Sequence, residues 1–196
     1  MTTFCKTIIP KGMFKEKEMK GDRMVLRFYD KEEDGVVMCD ETIVAADYPE
    51  DKVKEDYEAW KAKREAARLQ DAKDKKVRAI LAYDVSDHVN SFTLKHGDVS
   101  VDYWLTAVRR NQLVTSVTAW GETHDDYILD LREYNVSIAI PCNTLLAMLS
   151  ELESYAVACY NATSKHMMEV PGIETIEEVE AYDYTADYPE KKVFTF

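Results

Sequence analysis

Apolar and polar positions alternate first in Arg23-Met24-Val25-Leu26-Arg27-Phe28-Tyr29, which predicts a strand. Val36-Val37-Met38-Cys39 returns as a second strand. Asp30 to Gly35 lies between them as an acidic turn closing on glycine, so the pair reads as a hairpin with a longer loop. Thr42-Ile43-Val44 adds a third short strand. Phe4–Ile9 adds one more in an N-terminal arm over residues 1–20, ended by Pro10 and Gly12. A β lobe spanning 1–46 is too small to bury much by itself. It needs its own helix, another subunit or another protein to cover it.

The period then changes from two to nearly four. Asp47-Tyr48-Pro49-Glu50 has the form of a helix opening, with an acidic cap, a proline for the first turn and a glutamate three residues on. The helix is expected to run to about Tyr83, since neither glycine nor proline interrupts it. Val53, Tyr57 and Trp60 share one face, and Val77, Ile80 and Leu81 restore an apolar face at the far end. Between them, Lys61 to Lys76 offers only alanines and Leu69. A helix apolar at both ends and charged in the middle reads as a connector, 47–83. The rival reading is a helix in a loose oligomeric bundle, because its a/d pattern is too broken for a coiled coil.

Residues 84–182 read as an α+β domain of two β-hairpins packed on helices. Ser91–Leu94 and Val99–Val101 alternate around the turn Lys95-His96-Gly97-Asp98. A helix is expected from about Tyr103 to Val117, then a polar loop over Ala119–Asp126. Tyr127–Leu131 and Val136–Ile140 form the second hairpin around Arg132–Asn135. Pro141 stops it, and Asn143 or Thr144 is placed to cap a long helix. Its seam, Leu145, Leu149, Leu152, Ala156 and Cys159, demands one buried face. Pro171-Gly172 ends that helix, a short acidic one covers Ile173–Tyr182, and residues 183–196 form an aromatic tail. The phrase Ala46–Val53 echoes in Ala186–Val193 with seven identities in eight, too brief for a repeat architecture.

Charge divides the chain unevenly. Of 196 residues, 37 are acidic and 25 basic, and 19 acids against 7 bases lie in 84–196. Such a surface repels phosphate and argues against nucleic-acid binding by that part. Four cysteines, at 5, 39, 142 and 159, have no CxxC spacing and are too sparse for a disulfide scaffold. Buried thiols in a reducing compartment follow. No apolar run approaches the length of a membrane span, about 18 residues. The N-terminus has no secretory h-region, so the two Asn-X-Ser/Thr matches carry no weight.

The C-terminal two-thirds also resemble a known type of domain. The residues concerned are Ser91–Leu94, Trp104-Leu105 with Arg109, Ile138–Pro141, Leu146–Leu149, Leu152–Ala156 and Cys159–Asn161. Glu174–Glu180, Tyr182–Thr185 and Tyr188–Lys191 continue the series. In number and order they resemble a domain of unknown function common in tail-fibre regions of tailed phages and prophages, closest in style to its Bacteroides-phage version. The resemblance covers about 77–196. It implies a virion tail part, a fibre attachment piece or a fibre-assembly factor, made in the host cytoplasm, with other phage structural proteins as partners. It supplies no catalytic residues.

The candidate chemistry is sparse. His88, His96, His124 and His166 are scattered, and His124-Asp125-Asp126 reads as a solvated loop rather than a metal site. Cys159 with His166 lies two helical turns apart, and a cysteine on an apolar seam belongs to the core. Arg109-Arg110 reads as one arginine facing solvent and one paired with an acid. No glycine-rich phosphate loop is present among six dispersed glycines. The aromatic supply, 12 Tyr and 3 Trp, is more informative. Trp60, Tyr184, Tyr188, Phe194 and Phe196 are the candidate interaction residues, because aromatic side chains anchor interfaces. The tail that holds four of them either folds back on its own domain or docks on a neighbour. The expectation is a non-enzymatic virion component, homo-oligomeric, acting through protein–protein contact with no cofactor, metal, nucleic acid or membrane. A fibre-assembly factor that leaves the particle is the alternative, and a small phage hydrolase a remote one.

Overall fold

The computed structural model describes residues 4–196, so the first three residues of the expected arm lie outside the described residues. The fold is α+β, and the chain divides into two compact units, residues 1–70 and 71–196. The division falls inside one continuous helix, α1, Glu50–Asp84.

The first unit is built on strands β1 (Cys5–Pro10), β2 (Lys17–Lys20), β3 (Arg23–Glu33) and β4 (Val36–Ala45). They form one antiparallel sheet in the order β1-β4-β3-β2. The hairpin expected here is longer and tighter than its sequence suggests. Its strands run almost into each other, leaving Asp34 and Gly35 as the turn, both with positive φ (50° and 77°). That is the backbone of a two-residue turn whose twist matches the flanking strands. A register shift between Tyr29 and Lys31 absorbs the odd residue. Thr42-Ile43-Val44 is therefore not a third strand but the far half of β4. β2 was not expected, since Lys-Glu-Met-Lys shows no alternation to speak of. It is an edge strand that completes its hydrogen bonds against β3.

Met24, Leu26 and Phe28 alternate onto one face of β3 and meet Trp60 from the first half of α1. Phe28 packs edge-on to Tyr57 and tilted against Trp60 and Phe4. The lobe thus draws on its own helix for a cover. α1 opens at Glu50, with Glu50 and Asp51 in its first turn, where carboxylates suit the helix dipole.

The second unit has two small sheets and three further helices. β5 (Phe92–His96) and β6 (Val99–Tyr103) pair around Gly97, and β7 (Asp126–Leu131) and β8 (Val136–Pro141) pair around a 3-10 turn closed by left-handed Asn135. α2 spans Ala107–Gly121 rather than 103–117. Tyr103 stays in β6, and the Thr106 hydroxyl accepts from the Arg109 amide to cap the helix. α3 spans Cys142–Glu169. Neither Asn143 nor Thr144 caps it: Pro141 occupies that position, and the Asn143 side chain accepts from the adjacent Thr144 amide instead. α4 is shorter than expected, Ile176–Ala181, because Thr175 caps it through the Glu178 amide.

The core of this unit gathers Phe92 and Leu94, the inward residues Leu129, Leu131, Ile138 and Ile140, Leu113 and Val117 of α2, and the α3 seam. Leu145, Leu149, Leu152 and Cys159 are buried as expected. Tyr155 replaces Ala156 on the seam, and its buried hydroxyl donates to the Val89 carbonyl at 3.0 Å. β9, Val193–Thr195, adds a third strand beside β5, in parallel.

Candidate interaction surfaces

Trp60 is packed within its own lobe. Only 8% of it is exposed, and its indole N–H donates to Asp40 at 2.6 Å, so one strong bond fixes the ring against the sheet. One and two turns on, Arg64 and Arg68 share the carboxylate of Asp30. Beside these residues lies a cleft of about 640 Å3, walled by Phe4 and Trp60 and rimmed by Lys6, Asp40 and Lys63. Its charges are of both signs.

The reverse face of the same sheet carries the buried cation Arg27. Its guanidinium reaches Glu41 at 2.7 Å, Glu18 at 2.8 Å and the Lys15 carbonyl at 3.2 Å. Burial works against its charge, but the two carboxylates outweigh burial and raise its pKa. The Arg27 hydrogen bond in turn holds Glu18 below the usual carboxylate range. Around this polar centre the sheet leaves apolar residues in solvent. Tyr29 and Ile43 lie on the Arg27 face, Ile43 being 56% exposed. Ile8 on β1 is 64% exposed, and Met19 on β2 is also exposed. Both of those strands are open edges.

The tail aromatics lie along their own unit. Phe194 packs edge-on to Phe92 and belongs, with Tyr188 and Phe196, to the partly buried shell of the core. The pairing is sealed by backbone bonds: Thr93 N–H to Lys192, and Phe196 N–H to Lys95. Tyr184 meets Tyr83 edge-on and lies under the Lys76 ammonium. Tyr188 stacks on His166 and bonds Thr163 through its hydroxyl at 2.7 Å. Of the two surfaces open to the tail, these contacts are with its own domain.

His166 has its hydrogen-bond partners away from Cys159: Tyr182 and the Ala186 carbonyl. Burial pushes the Cys159 thiol up, which suits a core side chain rather than a nucleophile. Arg110 is buried, bonds Glu153 at 2.6 Å and donates to the Leu105 carbonyl, while Arg109 faces solvent. His124 stacks on Trp120 in an exposed loop. Among the described residues no group of three His, Cys, Asp or Glu side chains is placed to hold a metal ion. Among the described residues no helix is long and apolar enough to cross a membrane. The chain matches no family model, no curated protein and no solved structure.

Proposed function

We propose that the chain is a non-catalytic structural component acting through protein–protein contact, in the tail, fibre or neck of a tailed phage. The observation that carries the contact reading is the N-terminal sheet. Its shared core is a handful of side chains around Trp60, while Ile8, Met19, Tyr29 and Ile43 stand in solvent beside two open strand edges. Exposed apolar residues on unpaired edges are an aggregation hazard unless something covers them. A partner protein, or further copies of the chain, would do so. The phage setting rests on the resemblance over about 77–196.

Mass spectrometry of purified particles tests the reading, with copy number per particle as the quantity measured. A fixed, symmetric copy number is expected. Recovery on fibre protein during assembly, with none in finished particles, would replace it with the assembly-factor reading. Recovery on neither would end both.

A further inference from the structure

His166 lies near the end of α3 with 2% of its surface exposed, and both ring nitrogens are engaged. Nε2 is 2.9 Å from the Ala186 carbonyl oxygen, and Nδ1 is 2.6 Å from the Tyr182 hydroxyl. That hydroxyl is also 2.6 Å from Glu169 Oε2. The protons of this row can be counted. A carbonyl only accepts, so Nε2 carries a proton. Tyr182 has one proton for two neighbours. If it goes to the Glu169 carboxylate, Nδ1 must donate to the phenol oxygen, and the imidazole is doubly protonated. If it goes to Nδ1, Glu169 must itself be protonated to donate to Tyr182. Either way the complete row holds one proton more than a neutral histidine, a tyrosine and a carboxylate together. Glu169 is half-exposed, with the Lys165 ammonium 4.0 Å away.

The row has charged neighbours on several sides. From the tail side, Asp183 and Asp187 are both held below the usual carboxylate range, chiefly by Thr185 and by Lys165 respectively, with His166 a lesser contributor to each. From α1, Asp84 accepts from Thr163 at 2.5 Å, which leaves the Thr163 oxygen to accept from Tyr188. The nearby cations are Lys165, 2.5 Å from Asp187, and Lys76, which donates to the Glu180 and Tyr182 carbonyls. The Tyr188 ring covers one face of the imidazole.

We infer that residues 182–188 are a proton-held strap: one proton shared by His166, Tyr182 and Glu169 fastens the segment to α3, and its loss unfastens it. Without that proton, Tyr182 faces two acceptors with one O–H, and one of the two contacts must open. The strap leads directly into β9, so unfastening loosens the cover over Phe92 and the open side of β5. The sign follows from linkage: the fastened state binds the extra proton, so fastening is complete in acid and is lost as pH rises. This inference stands independently of the phage reading.

Amide hydrogen exchange on the full chain tests it, across about pH 5 to about pH 8, where histidines change charge. Rates are corrected for their intrinsic pH dependence and referred to the β7–β8 amides. Protection of residues 183–196 is expected to fall by up to about tenfold per pH unit once the proton leaves. Glu169→Gln is the discriminating variant. Its amide N–H can donate to the Tyr182 oxygen, freeing the phenol proton for a neutral His166, so the strap should stay fastened throughout the range. Tyr182→Phe breaks the row and should leave the strap loose and insensitive to pH. A parent whose protection does not change with pH would overturn the inference. So would a Glu169→Gln chain that keeps the parent's dependence.

Discussion

Arg27 is buried on a sheet face where every neighbour that could neutralise it is a carboxylate from a different strand: Glu18 on β2 and Glu41 on β4. Such a cation ties three strands together, and removing one partner leaves charge without compensation. Because Glu18 is held below the usual carboxylate range, the unfolded chain binds that proton more readily than the folded lobe. The stabilisation is present above the ordinary glutamate value of about 4.3 and disappears as pH falls through the lower folded value. Thermal melts should therefore show Glu18→Gln below the parent at neutral pH, with the gap closing in acid. Trp60→Ala should be far more damaging, by about 3–5 kcal/mol, since it empties the small core and strips Asp40 of its donor. Denaturant unfolding followed by circular dichroism would measure it.

At the level of elements, α3 is where local pattern and tertiary structure agree most closely. A charge at Leu149, which is buried in the same core as Leu145 and Leu152, should unfold the second unit. A Leu149→Asp chain that melts like the parent would refute the seam. The seam was legible because helical spacing brings apolar residues to one face whatever the partner. Tyr155 was legible beside that seam, but the partner of its hydroxyl was not, since Val89 offers its carbonyl from 66 residues away. β2 was invisible for a related reason: an edge strand can be polar on both faces, and only β3 makes it a strand. The tail aromatics were legible as anchors, but nothing local to them names Phe92, His166 or Thr163 as the surface they meet. Deleting residues 184–196 should accordingly lower the melting temperature of the second unit. Two aromatic side chains of cover correspond to a few kcal/mol, at about 25 cal/mol per Å2. Assembly that fails while the melting temperature holds would place the tail on a neighbour instead.

Across the whole molecule the two units differ in charge. Residues 1–70 hold 16 acids and 14 bases, whereas 71–196 hold 21 acids and 11 bases. Self-association is thus opposed less by charge in the first unit, where Ile8, Met19, Tyr29 and Ile43 stand in solvent beside open strand edges. The double change Tyr29→Lys with Ile43→Lys should shift light scattering toward a monomer. It should move stability by no more than about 0.5 kcal/mol, as surface changes generally do. An unchanged mass would remove this face from the interface. The parallel pairing of β9 with β5 has a further consequence, in time rather than in energy. Thr93 and Val193 are partners across 100 residues of chain, and a ribosome adding about 5–20 residues per second needs about 5–20 s to produce that length. The β3–β4 hairpin, closed by two residues, can form within about 1–10 μs of its emergence. Throughout the long interval between β5 and β9, every nascent copy presents the open side of the β5–β6 hairpin, with Phe92 lacking its Phe194 cover. Polysomes hold such copies side by side, so the hazard is greatest where ribosomes are most crowded and elongation is slowest.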